Sequence, residues 1–110
     1  MNRLNADRIQ GSVTRCLGHD HPVAEGHFPG NPIIPGALLL DCALRAITEA
    51  LPSDIGLPLK LRNVKFLHPL RPEEPFEIRY WQQDDEVAFE CSRAADRIVI
   101  MTGAVRPGDQ

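Results

Sequence analysis

The chain has 110 residues, 43% of them hydrophobic, and a formal net charge of −3 at neutral pH. This length predicts a single domain spanning residues 1–110. The negative charge and the absence of a basic run argue against nucleic-acid binding, and no apolar run is long enough to span a membrane. Because the polar start of the sequence is unlike a signal peptide, we expect a cytoplasmic protein.

Three cysteines are present, an odd number without paired spacing, which fits a reducing compartment better than a disulfide framework. A zinc site could be assembled from Cys16, His19, His21 and His27, but their spacing matches no known zinc pattern. The sequence therefore predicts neither a bound metal nor another cofactor.

The first third of the chain is expected to form a short strand and then a stiff loop. Residues 1–7 are typical of a frayed terminus, and residues 8–18 contain a strand signal centred on 13–17. Residues 19–36 are rich in Pro and Gly, with a short extended piece expected at 22–24. Because Pro fixes φ and Gly permits unusual φ, this loop has a specified conformation.

From Ala37 to Leu51 the sequence favours one helix, since Ala and Leu dominate and neither Gly nor Pro interrupts it. Its apolar face is too wide for a surface helix, which indicates that a sheet covers it. That face comprises Leu39, Leu40, Ala43, Ile47, Ala50 and Leu51, extended by Leu38 and Leu44. Asp41 lies within this apolar stretch.

The remainder of the chain is expected to form strands, at residues 59–67, 76–82, 86–93 and 97–105. Apolar and polar residues alternate in the second and third of these, as in half-buried strands. The short connections between the last three strands predict antiparallel hairpins. Residues 98–101 are apolar on both faces, so they form either a central strand or an edge at which two copies meet. One early helix followed by antiparallel strands predicts an α+β fold.

The run from Gly26 to Asp41 carries the most chemical information. It places His27 fourteen residues before Asp41, with three prolines and two glycines between them. A His suits a general base, and a backbone N–H at the helix start, at Gly36, suits an oxyanion. A carboxyl one turn into an apolar helix suits a general acid, because burial favours its neutral form. Taken singly, a loop His or a helix Asp is more often an ordinary surface residue.

The pattern H-F-P-G-x-P-I-x-P-G-x-x-x-x-D resembles the signature of the β-hydroxyacyl-(acyl carrier protein) dehydratases, the FabZ/FabA-like group. Residues 64–72, VKFLHPLRP, are similar to the family's later F-x-x-P-x-x-P segment. The likeness is specific over residues 26–45 and loose over 60–80. It implies the hotdog fold, an antiparallel β-sheet wrapped around one central α-helix. Asp instead of Glu at position 41 resembles the branch that also isomerises its product.

The resemblance also implies the roles of several residues and a dimeric state. His27 and Asp41 would be catalytic, and they would come from different subunits of a homodimer or a larger homo-oligomer. The backbone of Gly36 would bind the thioester carbonyl. The other implied site residues are Phe28, Gly30, Pro35 and Arg45. The expected function is that of a (3R)-3-hydroxyacyl-[acyl carrier protein] dehydratase, which yields a trans-2-enoyl thioester in fatty-acid or specialised lipid or polyene synthesis.

The resemblance implies that the substrate is carried on phosphopantetheine, on acyl carrier protein or coenzyme A. Carrier proteins are acidic, and four positive residues near the second motif either form a docking patch or belong to a solvated strand face. They are Lys60, Arg62, Lys65 and Arg71. The chain is shorter than typical members and is expected to lack their N-terminal helix, as in compact relatives from specialised lipid or polyene pathways.

One departure from the family pattern leaves other functions open. Arg45 stands where the family commonly has Gln, four residues after Asp41, and could pair with it and hold it ionised. Alternatively, Arg45 extends into solvent and leaves Asp41 alone. The first case favours a non-catalytic hotdog subunit that binds an acyl thioester or supports an active partner. A hotdog thioesterase is a third possibility.

Overall fold

The computed structural model describes residues 9–18, 33–51 and 59–107. In these ranges the chain forms one helix and five strands, which confirms the predicted α+β class. The elements are β1 (Gln10–Arg15), α1 (Gly36–Ala50), β2 (Leu59–Phe66), β3 (Phe76–Gln83), β4 (Glu86–Arg93) and β5 (Val99–Pro107). The expected frayed terminus at 1–7 and the extended piece at 22–24 lie outside the described residues.

The strands form one antiparallel sheet in the order β1-β3-β4-β5-β2. β5 therefore lies between β4 and β2, which makes it a central strand. Of the two positions predicted for residues 98–101, the central one is correct. The edge role is wrong, since β1 and β2 occupy the edges. Ile98 itself precedes β5 and is partly exposed.

Alternating side chains give the sheet an inner face, which carries α1, and an outer polar face. Along β3, Phe76 and Ile78 are fully buried, whereas Arg79 is exposed. Along β4, Val87 and Phe89 are buried in the same way. This period of two is the pattern that predicted half-buried strands, and it places the apolar residues of neighbouring strands side by side under the helix.

The helix packs against the inner face of the sheet, with its main contacts to β3 and β4. Its buried residues are Leu39, Ala43, Ala46 and Ile47. The wide apolar face expected from the sequence is largely confirmed. Its half-buried members, which pack against the core, are Leu38, Leu40, Leu44 and Leu51, and of that face Ala50 is exposed. Asp41 and Arg45 lie on the exposed side. A five-stranded sheet covers only one side of a helix, so the other side is left for solvent or a partner.

The described core is entirely apolar and contains no buried polar or charged side chain. Its largest fully buried members are Phe76, Phe89, Ile47, Leu70, Ile78, Ile100 and Met101. Leu70 lies after β2, in the second motif, so this motif segment is anchored in the core as well as being close to the surface. Burial of such side chains is the main favourable term in folding.

Two bulges bend the sheet near its β2 edge. Arg62 pairs with Ala104 and Lys65 with Thr102, so Asn63 and Val64 together face the single residue Gly103. Asn63 adopts φ 53°, the left-handed conformation that Asn tolerates better than most residues. A second register shift on β5 leaves Ile100 between the pairs made by its neighbours.

Candidate functional site

The start of α1 is built by backbone geometry. Pro35 is the N-cap residue, with φ −60° and ψ 142°, and no side chain caps the helix. Its carbonyl accepts hydrogen bonds from the N–H groups of Leu38, at 3.0 Å, and Leu39, at 3.3 Å. The first N–H groups of a helix have no partner within it, and the helix dipole favours negative charge there. Gly36 is the first helical residue, as the sequence led us to expect, and its role in stabilising an oxyanion stays a prediction.

Backbone hydrogen bonds join the helix start to the second motif. The N–H of Ile34 donates to the Leu70 carbonyl at 2.7 Å. The N–H groups of Leu67 and His68 both donate to the Ile100 carbonyl, at 2.9 and 3.5 Å, where β5 bulges. Segments that are distant in sequence are therefore held together by main-chain bonds, which do not depend on side-chain identity.

Phe66, the last residue of β2, packs against Gly36. A Cβ atom added to Gly36 would lie 2.8 to 3.0 Å from three atoms of the Phe66 ring, closer than real Cβ contacts. The ring thus occupies the space that a side chain at position 36 would need. The sequence interpretation attributed this glycine to the approach of a thioester carbonyl, and the structure adds a second reason, the contact with Phe66.

These segments line a mostly apolar pocket of about 480 Å³ that opens to solvent. Its lining consists of Ile33, Ile34, Gly36, Ala37, Leu39, Phe66, Leu67, His68 and Pro69. Small-molecule sites commonly have volumes of roughly 300–1,000 Å³ and apolar walls with a few polar groups. Among the described residues of this lining, His68 is the single ionisable one. The pocket is therefore suited to an apolar ligand whose polar end reaches the helix start.

Asp41 forms an ion pair with Arg45 on the exposed side of α1. The Arg45 Nε lies 2.8 Å from the Asp41 Oδ2, and the two side chains are 77% and 51% exposed, respectively. Of the two arrangements that the sequence left open, the paired one is present. Neither residue belongs to the lining of the pocket, so in the single chain the acid and the helix start face different surroundings.

The thiols near the helix are poor nucleophiles. Burial raises the pKa of Cys42, and the charge of Asp41 adds to that effect. Burial raises the pKa of Cys91 to about 12, with smaller contributions from Cys42 and Glu90. A thiol with a raised pKa stays protonated at neutral pH, and the thiolate is the reactive form. Neither cysteine is therefore suited to covalent catalysis.

Several predicted site residues lie outside the described residues, namely His27, Phe28 and Gly30, as do His19 and His21. Among the described residues no group of His, Cys, Asp or Glu is placed to hold a metal ion. In this same part of the chain, no helix has the length and apolar character needed to cross a membrane.

Two of the four residues in the predicted positive patch already interact with other residues. Arg62 forms an ion pair with Glu86 at 3.3 Å, and Lys60 has an interaction partner as well. Lys65 and Arg71 are exposed. These two residues are therefore the members of the patch on which a docking role can be tested directly.

Sequence reasoning gave no individual role to Phe66 or His68. Both fall in the second motif. The signal that could have pointed to them is the phenylalanine of this motif and its histidine next to a proline. Their meeting with the helix start depends on the pairing of β2 with β5 and on the bond between Ile34 and Leu70, which local sequence does not reveal.

Comparisons with curated proteins identify dehydratases as relatives. The 3-hydroxyacyl-[acyl-carrier-protein] dehydratase FabZ of Caulobacter vibrioides is 23% identical over 104 residues, covering 87% of this chain. The FabZ of Thermus thermophilus is 34% identical over 55 residues, covering 50% of this chain and 39% of its own length. The chain spans only 60% of the length of the Caulobacter protein.

Solved structures confirm the hotdog fold. The dehydratase heterocomplex ApeI:P from Xenorhabdus doucetiae matches with a TM-score of 0.73 at 18% identity, over 88% of this chain and 85% of that one. A 1,4-dihydroxy-2-naphthoyl-CoA thioesterase from Synechocystis matches with a TM-score of 0.59 at 12% identity, over 88% of this chain and 79% of that one. Similarity at this level of identity establishes the fold and leaves the reaction open, because one fold carries many functions.

The family model described as ApeI-like, ApeI dehydratase, matches residues 3–103. This match includes the loop with His27, the whole of α1 and the second motif, so it covers every element from which the pocket is built. The chain therefore belongs to the ApeI-like dehydratase family.

Proposed function

We propose that the protein is a hydro-lyase that removes water from a (3R)-3-hydroxyacyl thioester and releases the trans-2-enoyl thioester. The observation that carries this proposal is the placement of Gly36. The helix start, whose first N–H groups have no partner within the helix, opens on an apolar pocket in a chain whose family is that of a dehydratase. The acyl group would be carried on the phosphopantetheine of an acyl carrier protein or of coenzyme A, and the protein would need no cofactor of its own.

In the proposed reaction, His27 removes a proton from C2 of the substrate. The electron pair of that C–H bond forms the C2–C3 double bond as the C3–O bond breaks. The backbone at Gly36 stabilises the negative charge that develops on the thioester oxygen, and Asp41 donates a proton to the departing hydroxyl, which leaves as water. His27 takes up one proton and Asp41 gives one up, so a proton must return through solvent before the next turnover.

The proposed site needs a second subunit. Asp41 is half exposed in the single chain and lies outside the pocket, whereas a general acid works best where water is excluded. A second copy packed over the exposed side of α1 would cover Asp41 and bring it to the pocket of its partner. The heterocomplex named for the Xenorhabdus neighbour supports assembly of such chains, with either a like or an unlike partner.

A second function is favoured by the ion pair between Asp41 and Arg45. The Asp41 carboxylate already accepts a hydrogen bond from Arg45 instead of facing the pocket, so a non-catalytic subunit that binds an acyl thioester is the alternative. The thioesterase found among the structural neighbours provides a third outcome for the assay, although its similarity extends to the fold alone.

The test is an assay of the purified protein on (3R)-3-hydroxyacyl thioesters, followed by enoyl thioester absorbance. His27→Ala should lower turnover by about 10²–10⁴-fold, the usual contribution of a general base. His21→Ala, in the same loop but outside the motif, is the matched control and should keep its activity. Release of free thiol without enoyl product would identify a thioesterase, and binding without either product would favour the non-catalytic function.

A further inference from the structure

Phe66 is a large apolar side chain that is left half exposed at the end of β2. Its neighbour across the sheet is Met101, which is fully buried, so Phe66 lies on the inner face beside the core. The residue is nevertheless 54% exposed, the largest fraction among the exposed large apolar residues in the described part of the chain. Gly36 leaves room for the ring but has no side chain that could cover it.

The contact with Gly36 fixes where the ring lies. Part of the ring rests against the first residue of α1, and the remainder forms a wall of the 480 Å³ pocket. Leu67 and Ile33 continue the same apolar lining. The pocket therefore presents a hydrocarbon surface directly beside the N–H groups that begin the helix.

We propose that Phe66 is a specificity-determining residue, whose ring packs against the hydrocarbon chain of the acyl thioester and sets the preference for chain length. This inference rests on the proposed function, because the thioester carbonyl must lie at Gly36 for its acyl chain to reach Phe66. With the carbonyl at the helix start, the adjoining carbons meet the ring, and longer chains bury more of its exposed surface. Burial of apolar surface is what favours binding in such a pocket.

The test measures binding separately from catalysis. Unreactive pantetheine thioethers bearing four-carbon and eight-carbon chains are titrated calorimetrically into the protein. The wild type should bind the longer chain at least tenfold more tightly. Phe66→Ala should reduce that ratio by about tenfold, equivalent to about 1.4 kcal/mol. Phe66→Leu, which remains large and apolar, should keep most of the preference.

Trp81→Ala is the matched control. Trp81 is also a partly exposed aromatic residue, 36% exposed, but it lies on the outer face of the sheet and does not line the pocket. Its removal should leave the ratio unchanged. Phe66→Trp is a second variant, for the case in which the alanine variant fails to fold. Its larger ring fills part of the pocket, so it should weaken binding of the eight-carbon chain more than binding of the four-carbon chain.

The outcomes separate this inference from the proposed function. Three results would overturn the role of Phe66. The ratio of the two affinities could be unchanged in Phe66→Ala, it could fall equally in Trp81→Ala, or the wild type could bind neither thioether. A wild type that shows the expected binding ratios but forms no enoyl product would overturn the proposed dehydration and leave the role of Phe66 in acyl binding intact.

Discussion

At the scale of single residues, the ion pair with Arg45 engages the carboxylate of Asp41, the proposed acid. An exposed pair four residues apart on a helix is worth only about 0.3–0.5 kcal/mol, so its removal should change turnover by about twofold. We expect Arg45→Gln to raise turnover by about that factor. Asp41→Asn should lose most of the activity, because an amide cannot donate the proton that the hydroxyl needs. Both are measured by initial rates of enoyl formation.

Glu49→Gln is the matched control for the loss of a carboxylate from the same helix. Glu49 is exposed near the end of α1 and has no role in the proposed reaction, so its variant should react like the wild type. An Asp41→Asn variant as fast as the wild type would show that the acid has been wrongly assigned, and the non-catalytic function would become the leading one.

Cys91 makes the stability of the fold depend on alkaline pH. Burial raises its pKa from 9.0 to about 12, so the folded state favours the neutral thiol. This contribution is fully present below pH 9 and is lost as the pH rises from 9 towards 12, by up to about 1.4 kcal/mol per pH unit. Urea unfolding at pH 8, 9.5 and 11 should show a steeper loss for the wild type than for Cys91→Ala.

Cys16 provides the comparison for this pH dependence, because it is exposed. Cys16→Ala should lose stability with pH as steeply as the wild type does. If Cys91→Ala lost stability equally steeply, the buried thiol would not be the group responsible.

At the scale of elements, the bulge in β2 depends on one residue with a positive φ. Asn63 adopts φ 53°, which a β-branched residue tolerates poorly, at a cost of about 1–2 kcal/mol. We expect Asn63→Val to lower the free energy of unfolding by that amount and Asn63→Gly to leave it nearly unchanged. Lys65→Val is the control on the same strand, because Lys65 does not have a positive φ. Equal effects of both valine substitutions would contradict this explanation.

The elements themselves could largely be predicted from the sequence, since they follow from periodicity. The bounds predicted for β4 agree with the structure, and those of α1 differ by one residue at each end. β5 begins two residues later than predicted, because Arg97 has φ 64° and Asp96 accepts a hydrogen bond from the N–H of Ile98. The strand signal at 13–17 belongs to Gln10–Arg15, whose pairing with β3 fixes bounds that a local pattern cannot.

The site was predictable only in part, because periodicity predicts elements but not the contacts between distant segments. The motif located Gly36 at the helix start and Asp41 on the helix, and both lie there. The roles of His27 and of the loop around it stay predictions. Neither the pocket nor its contact between Phe66 and Gly36 could be predicted, because both arise where segments far apart in sequence meet.

At the scale of the whole molecule, the exposed apolar side chains predict where two copies meet. Leu61 is 46% exposed on β2, an edge strand, and lies outside the pocket. We expect sedimentation at micromolar concentration to give twice the chain mass of 12.2 kDa, and Leu61→Glu to give the single chain. Ile98→Glu, away from this edge, should remain dimeric. A wild type that is only monomeric would exclude the shared site.

The strand order has a consequence for the order in which the protein folds. β3 and β4 pair as neighbours joined by a two-residue turn, and β5 adds directly to β4. β2, however, is synthesised before β3 and can pair only after β5 exists. Local pairs form faster than distant ones, so the nucleus should comprise β3, β4 and β5, while β2 joins late. During that interval the ribosome-bound chain carries Phe66 without its neighbours, which makes this residue a point of vulnerability to aggregation and a natural contact for a chaperone.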